Sequence, residues 1–339
     1  MNLDITHTAF LFPGQGSQYV GMGHELASRY EAARTIFEEA NEVLGFDLAR
    51  LMWEGSEGEL NDTLNTQPAL YVHSIAAHRV LSHLLPDLSA ALRKAQGDSS
   101  PVPEALAQAG CDTRLVFCAG HSLGELSALT VAGALPFDAG LRLVRRRGEL
   151  MKRAGELAPG GMAAILGLDI QTLEAICVQA STPDEVVQVA NDNCPGQVVL
   201  SGARSALERV LELVKAAGAR RAVLLAVSIA AHSPLMATVQ AEWDAAVAAV
   251  TLAEVSVPVV GNVTAKPMTR ADEFRADLRA QLTCRVRWTE TIQFMLAQGV
   301  MTFLELGSGS VLTSLLKRID EGPARWALGK PEDFEKFIV

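Results

Sequence analysis

Residues 115–129 read LVFCAGHSLGELSAL, and the reading of this stretch decides the fold. The apolar run Leu115, Val116, Phe117, Cys118, Ala119 has the length of a buried strand. Gly120 ends it, Ser122 stands between Gly120 and Gly124 in a G-x-S-x-G pattern, and an Ala- and Leu-rich helical stretch follows. Strand, sharp turn and helix in that order form a nucleophile elbow, which lifts one serine hydroxyl clear of the backbone. The flanking glycines are needed because a β-carbon would collide across so tight a turn. The helix start also directs free backbone N–H groups toward the reacting oxygen. Gly-Ser-Gly loops without a catalytic role are common, so it is the strand and helix on either side that give the pattern its weight.

The chain around this elbow has 339 residues, enough for one large or two medium domains with a sizeable core. Its 49% hydrophobic and 20% charged content is that of a soluble globular chain. A net charge of −10 argues against nucleic acid as the main partner, because phosphate binding wants a basic face. No apolar run approaches the ~18 residues that span a bilayer. The N-terminal MNLDITHTAF has neither a basic region nor an apolar signal core, so a cytoplasmic protein is expected. Cys111, Cys118, Cys177, Cys194 and Cys284 are odd in number and scattered, with no C-x-x-C and no metal spacing. Reduced structural thiols are expected, with no metal site and no cofactor.

In chain order, Ala9 to Pro13 reads as a first strand and leads into GQGSQYVGMG, Gly14 to Gly23. That loop lacks the third glycine of a dinucleotide fingerprint and has no Gly-Lys-Ser/Thr, so a turn presenting backbone N–H groups and the Gln15 amide is expected instead. Glu25 to Leu44 and Asn65 to Leu85 read as helices. His73, His78 and His83 lie about one and a half turns apart on the second and share no ligand face. Residues 87–113 look like an insertion with a flexible middle. Pro136 to Met151 begins a helix that carries Arg142, Arg145, Arg146 and Arg147, a run that by itself reads as a solvated basic face.

From Gly160 to Val227 the order of elements is βαββαβ, with Asn191 to Gly196 as a turn-rich link between the middle strands. This suits a small ferredoxin-like subdomain, 158–227, inserted in a larger α/β body with a parallel sheet, 1–157 and 228–339. The body resumes with a helix from Pro234 to Val250, a strand from Val257, two helices, the strand Met301 to Leu306 and the helix Val311 to Ile319. The charged C-terminal tail is expected to be peripheral.

A serine nucleophile at neutral pH needs a base. His121 adjoins Ser122, but neighbouring side chains on a sharp turn point apart, so it is expected to pack. His232 is the only histidine downstream of the elbow. It follows the apolar segment Val227 to Ala231 at a strand exit, and is the candidate base. A Ser…His order is compatible with an α/β-hydrolase. In that fold, however, the histidine is late and an HGG-type oxyanion motif precedes the serine. Here over a hundred residues follow His232 and no such motif is present.

The segments FPGQGSQ (Phe12 to Gln18), GHSLGE (Gly120 to Glu125), Arg147-Gly148, GGMAAILG (Gly160 to Gly167), NCPGQVVLSG (Asn193 to Gly202) and AHSPLM (Ala231 to Met236) together resemble the malonyl-CoA:acyl carrier protein transacylase family. They lie in the family's order, and the resemblance runs from about Phe10 to Ile319, with 87–113 longer than usual. It implies a hydrolase-like α/β body and ping-pong transfer of a malonyl group from malonyl-CoA, through an acyl-enzyme on Ser122, to the phosphopantetheine thiol of an acyl carrier protein. His232 would be base and then acid, with its other ring nitrogen held by a backbone carbonyl near Arg287 or Trp288; family members often carry Asn or Gln where Arg287 stands. The backbone N–H groups of Gln15 and Leu123 would form the oxyanion hole.

Arg147 would hold the malonyl carboxylate, which suits a planar guanidinium that binds carboxylates through two parallel hydrogen bonds. Arg145 and Arg146 would be surface or acidic-partner contacts. Ala231 supplies no bulky wall before the histidine, so exclusion of methylmalonyl is not assured by that position. Fatty acid or polyketide synthesis is the implied setting, with a monomer expected. A discrete acyltransferase of wider acyl range, a serine thioesterase or hydrolase, and a non-catalytic carrier-binding module are the competing readings.

Overall fold

Thr8–Phe12 (β1) is buried at every residue, as befits a strand covered on both faces of a parallel sheet. In the computed structural model, which describes residues 7–85 and 117–338, it is the centre of the larger of two sheets. The expected insertion at 87–113 lies outside the described residues. The other strands are Phe117–Gly120 (β2), Gly160–Leu166 (β3), Val187–Cys194 (β4), Gln197–Ala203 (β5), Arg221–Leu224 (β6), Val259–Val260 (β7), Pro267–Met268 (β8), Thr302–Leu306 (β9) and Ala324–Leu328 (β10).

The large sheet has the order β10-β9-β1-β2-β7-β8, parallel except for β8. The helices Thr63–Leu84 and Phe137–Leu157 pack together over it. The first is buried almost along its length, and the second turns a stripe of Gly140, Val144, Arg147, Met151 and Ala154 inward. The second sheet is wholly antiparallel in the order β4-β5-β3-β6, with the helices Ile170–Ala180 and Arg204–Ala216 at the crossovers. Its βαββαβ chain order and strand order are ferredoxin-like. Apolar residues of both helices and of the strands, among them Leu173, Ile176, Leu207 and Val210, form its own core.

Four expectations change. The Glu25–Leu44 helix is two helices, His24–Arg29 and Glu31–Leu44, because Tyr30 between them is extended. The link at Asn191 to Gly196 is mostly strand: β4 continues to Cys194 and pairs with β5 through two register irregularities, so only Pro195-Gly196 turns. Pro234–Val239 is a 3-10 helix that passes into the α-helix Gln240–Ala249. The C-terminal tail is not peripheral. β10 adds a parallel edge strand beside β9, and the final helix Pro331–Ile338 buries Pro331, Phe334 and Phe337 at three-residue spacing while its charged residues face out. Replacing Phe334 by alanine is therefore expected to lower the unfolding free energy in a urea titration by about 3–5 kcal/mol. A change within ~0.5 kcal/mol would mark the tail as surface after all.

Candidate active site

β1 and β2 are parallel neighbours with Phe12 opposite Gly120, so both deliver their following loops to the same edge of the sheet, where α/β folds place ligands. The elbow is as tight as its glycines imply. A β-carbon on Gly120 would lie 1.9 Å from the Gly124 carbonyl, and one on Gly124 would lie 2.1 Å from Phe12 O. Ser122 itself has φ 53°, a left-handed conformation that a residue with a side chain adopts only where its surroundings hold it. Asn262 does the holding: its Oδ1 accepts from Ser122 N at 2.7 Å and its Nδ2 donates to Gly120 O at 2.7 Å.

His232 is the second such residue, with φ 57°. It stands in irregular chain, because β6 ends at Leu224 and the segment up to Ala231 is not strand. Gln188 on β4 donates to its backbone carbonyl at 2.8 Å. Its Nε2 lies 2.7 Å from Ser122 Oγ. Its Nδ1 lies 2.8 Å from Gln281 O and 3.2 Å from Cys284 O. Carbonyls only accept, so Nδ1 carries the proton and Nε2 is left to accept from the serine.

These two carbonyls correct the expectation of one near Arg287 or Trp288. The helix Ala271–Gln281 ends here, and a helix leaves its last carbonyls without intrahelical donors. Arg287 instead forms a two-pronged ion pair with Glu290, at 2.8 and 2.6 Å, and the Trp288 ring packs edge-on against His121. Burial first, and then the charge of Arg147, push the His232 imidazole down to about 3, so the ring is neutral at physiological pH.

Arg147 is 1% exposed. Nη1 donates to Gln67 Oε1 at 3.0 Å, and Nη2 donates to Gln281 Oε1 at 2.9 Å and to Ser122 Oγ at 3.1 Å. Burial lowers its guanidinium to about 10, which still leaves it charged. No carboxylate among the described residues makes a salt bridge with it. Arg145 and Arg146 lie off the buried stripe and spend their charge within the chain, on Glu149 and, for Arg146, also on Glu242.

Gln15 is an exposed residue of the loop after β1, and its side chain donates to Thr63 Oγ1 at 3.2 Å. Leu123 is the buried N-cap of the helix Gly124–Ala132 and follows Ser122 directly. The His121 backbone N–H donates to Phe12 O at 3.0 Å and its ring Nε2 meets Asn193 Oδ1 of β4 at 2.8 Å, so it ties the elbow to the small sheet.

Sequence reasoning missed Asn262, Gln67 and Gln281. Gln67 follows the start of a helix and Gln281 ends one, and nothing in their neighbours marks them as facing a guanidinium. Among the described residues no helix is long and apolar enough to cross a membrane, and no group of three or more His, Cys, Asp or Glu is placed to hold a metal ion.

A hydroxyl with a neutral imidazole and an unpaired guanidinium each within hydrogen-bond reach of it suits acyl transfer from a substrate that carries its own anion. The comparisons with known proteins agree. The acyl transferase domain family matches residues 9–84 and 104–323. The malonyl CoA-acyl carrier protein transacylase of Bacillus subtilis (strain 168) is 40% identical over 334 residues, 98% of this chain and 97% of its own. The solved malonyl CoA-acyl carrier protein transacylase of Coxiella burnetii superposes with a TM-score of 0.86 at 35% identity, covering 98% of this chain and 97% of that one. A malonyl-transacylase solved in complex with a type II PKS acyl-carrier protein is 37% identical with a TM-score of 0.83, covering 98% and 99%. Its fold, the convergence of serine, histidine and arginine, and these matches over nearly its whole length make this chain an acyltransferase that belongs to the acyl transferase domain family, among the malonyl CoA-acyl carrier protein transacylases.

Proposed function

We propose that the enzyme transfers a malonyl group from malonyl-CoA to the phosphopantetheine thiol of an acyl carrier protein by way of an ester on Ser122. The observation that carries this reading is the buried Arg147 guanidinium, 3.1 Å from Ser122 Oγ and held only by neutral partners. A buried charge without a counter-charge is costly, and a carboxylate arriving with the substrate relieves that cost. An acetyl group does not.

In the forward half-reaction Ser122 Oγ attacks the thioester carbonyl while its proton passes to His232 Nε2. Negative charge gathers on the carbonyl oxygen, for which the backbone N–H groups of Gln15 and Leu123 are the donors in this reading. Support for the pair is the close approach of their loops, where a β-carbon on Gly14 would lie 2.4 Å from His121 O. The tetrahedral intermediate collapses, the C–S bond breaks, and His232 returns its proton to the departing CoA sulfur. In the second half the carrier's thiol gives its proton to His232 and attacks the ester, and Ser122 takes the proton back. The carbonyls of Gln281 and Cys284 stabilise the imidazolium in each half, helped by the negative end of the helix that Gln281 terminates.

The same proposal divides the protein into a body of 1–157 and 228–339 and a small unit of 158–227, supported by the separate sheet and core of β3 to β6. It also takes the enzyme to act as a monomer in the cytoplasm, consistent with free cysteines at 118, 177, 194 and 284. Incubation with malonyl-CoA at neutral pH is expected to add one malonyl group to the peptide that contains Ser122, seen by mass spectrometry and discharged by carrier protein bearing the free thiol. Absence of that adduct overturns the mechanism, and rapid release of malonate without carrier would make the protein a thioesterase.

A further inference from the structure

Gln281 touches every member of the site. Its backbone oxygen accepts a hydrogen bond from His232 Nδ1, its Oε1 accepts from Arg147, and its Nε2 donates to Ser122 O at 3.1 Å and to Glu125 Oε2 at 2.7 Å. An amide side chain can point either way round. Arg147 needs an oxygen facing it, and what forces that orientation is an acceptor on the opposite side of the amide. Ser122 O is one such acceptor, and Glu125, the first acidic residue after the elbow, is the nearer one and has no exposed surface at all. The same oxygen, Oε2, also receives Asn262 N at 3.3 Å.

The other oxygen of Glu125, Oε1, is buried and meets no N–H or O–H donor while both neighbouring acids are ionised. Its neighbour is Asp277, itself 4% exposed, whose two carboxylate oxygens each take Val263 N at 3.3 Å. A proton held between the two carboxyls satisfies Oε1. Burial raises both acids, Glu125 well above the usual range, and the backbone donors favour charge on Asp277. The proton therefore resides on Glu125. A neutral Glu125 can orient Gln281 without cancelling the charge of Arg147, which an ionised one at the same place would do.

We propose that Glu125 is a positioning residue: its carboxyl, sharing a proton with Asp277, locks the Gln281 amide with its oxygen toward Arg147 and leaves the guanidinium charge free for the substrate's carboxylate. This rests on malonyl transfer through Ser122, and its test is read apart from that one. In Glu125→Ala the amide keeps only the longer bond to Ser122 O on that side and its orientation loosens, so kcat/KM for malonyl transfer falls by about 10- to 100-fold while acetyl transfer changes little. Glu125→Gln, a neutral isostere that still accepts from Gln281 and can donate to Asp277, restores most of the lost malonyl preference.

Infrared spectra at neutral pH supply a readout that needs no activity. The C=O stretch of a protonated carboxylic acid is present in the unsubstituted enzyme and missing in Glu125→Gln. The inference is overturned if Glu125→Gln loses malonyl preference as fully as Glu125→Ala, since a carboxylate would then be required. It is equally overturned if that infrared band is the same in both proteins, an outcome that decides the matter even if Glu125→Ala fails to fold. A wild-type enzyme that forms no malonyl ester on Ser122 would defeat the underlying reading instead, whatever the infrared spectra show.

Discussion

Arg147→Ala is expected to lower kcat/KM for malonyl transfer by roughly 100- to 1,000-fold and to leave acetyl transfer unchanged or raised, as expected for a desolvated charge pair. The guanidinium sits on the inward stripe of the helix Phe137–Leu157, where a charged side chain would not stand without a use. Its bonds to Gln67 and Gln281 set its plane and do not neutralise it. A malonyl carboxylate docked there gains charge-assisted hydrogen bonds in a water-poor site, and the alanine variant supplies none. An acetyl group never made those bonds, so its transfer is the internal control for damage to the fold. Parallel rate measurements with malonyl-CoA and acetyl-CoA and one carrier protein decide the point. Equal losses for both would mean that Arg147 serves the structure instead of the substrate. Arg147→Lys should fall between, because a lysine keeps the charge but lacks the fork.

Removing the imidazole, as in His232→Ala, should reduce transfer of every acyl group by about 10²- to 10⁴-fold, the usual worth of a positioned general base. The pH profile carries a sharper expectation. A base works only when unprotonated, and burial together with Arg147 holds the His232 ring far below its ordinary value, down to about 3. As pH falls through the ordinary imidazole range, near 6.5, activity in kcat/KM should therefore persist and fail only at much lower pH. Two shifts follow from the same charge. A bound malonyl carboxylate offsets Arg147, so the acid limb of kcat should lie above that of kcat/KM. In Arg147→Ala, assayed with acetyl-CoA, the acid limb of kcat/KM should also move upward. An acid limb near 6.5 in the unsubstituted enzyme would show that His232 is not held neutral in this way.

Much of this site is local in sequence and was legible there. The elbow is a run of five residues whose geometry depends on Gly120 and Gly124, and a missing β-carbon is visible in any sequence. The βαββαβ order of the small sheet follows from apolar periodicity, which needs only neighbouring residues. Arg147 stood out from Arg145 and Arg146 by resemblance alone, though its place on the stripe with Val144 and Met151 is a physical reason for the difference. The charged tail misled because charge marks only one face of a helix, and Phe334 and Phe337 on the other face bury it.

Tertiary structure decided what holds those groups. The partner of His232 is a carbonyl, which every residue possesses, so composition cannot single it out. Only the end of a helix 49 residues away leaves one unpaired at the right place. Asn262, Gln67 and Gln281 act through an amide whose orientation is set across the fold, by contacts separated by 80 to 159 residues. The candidates for nucleophile, base and cation could be picked out in the chain because each role needs a particular side chain. Their orientation depends on contacts between distant segments, and those exist only once the chain has folded.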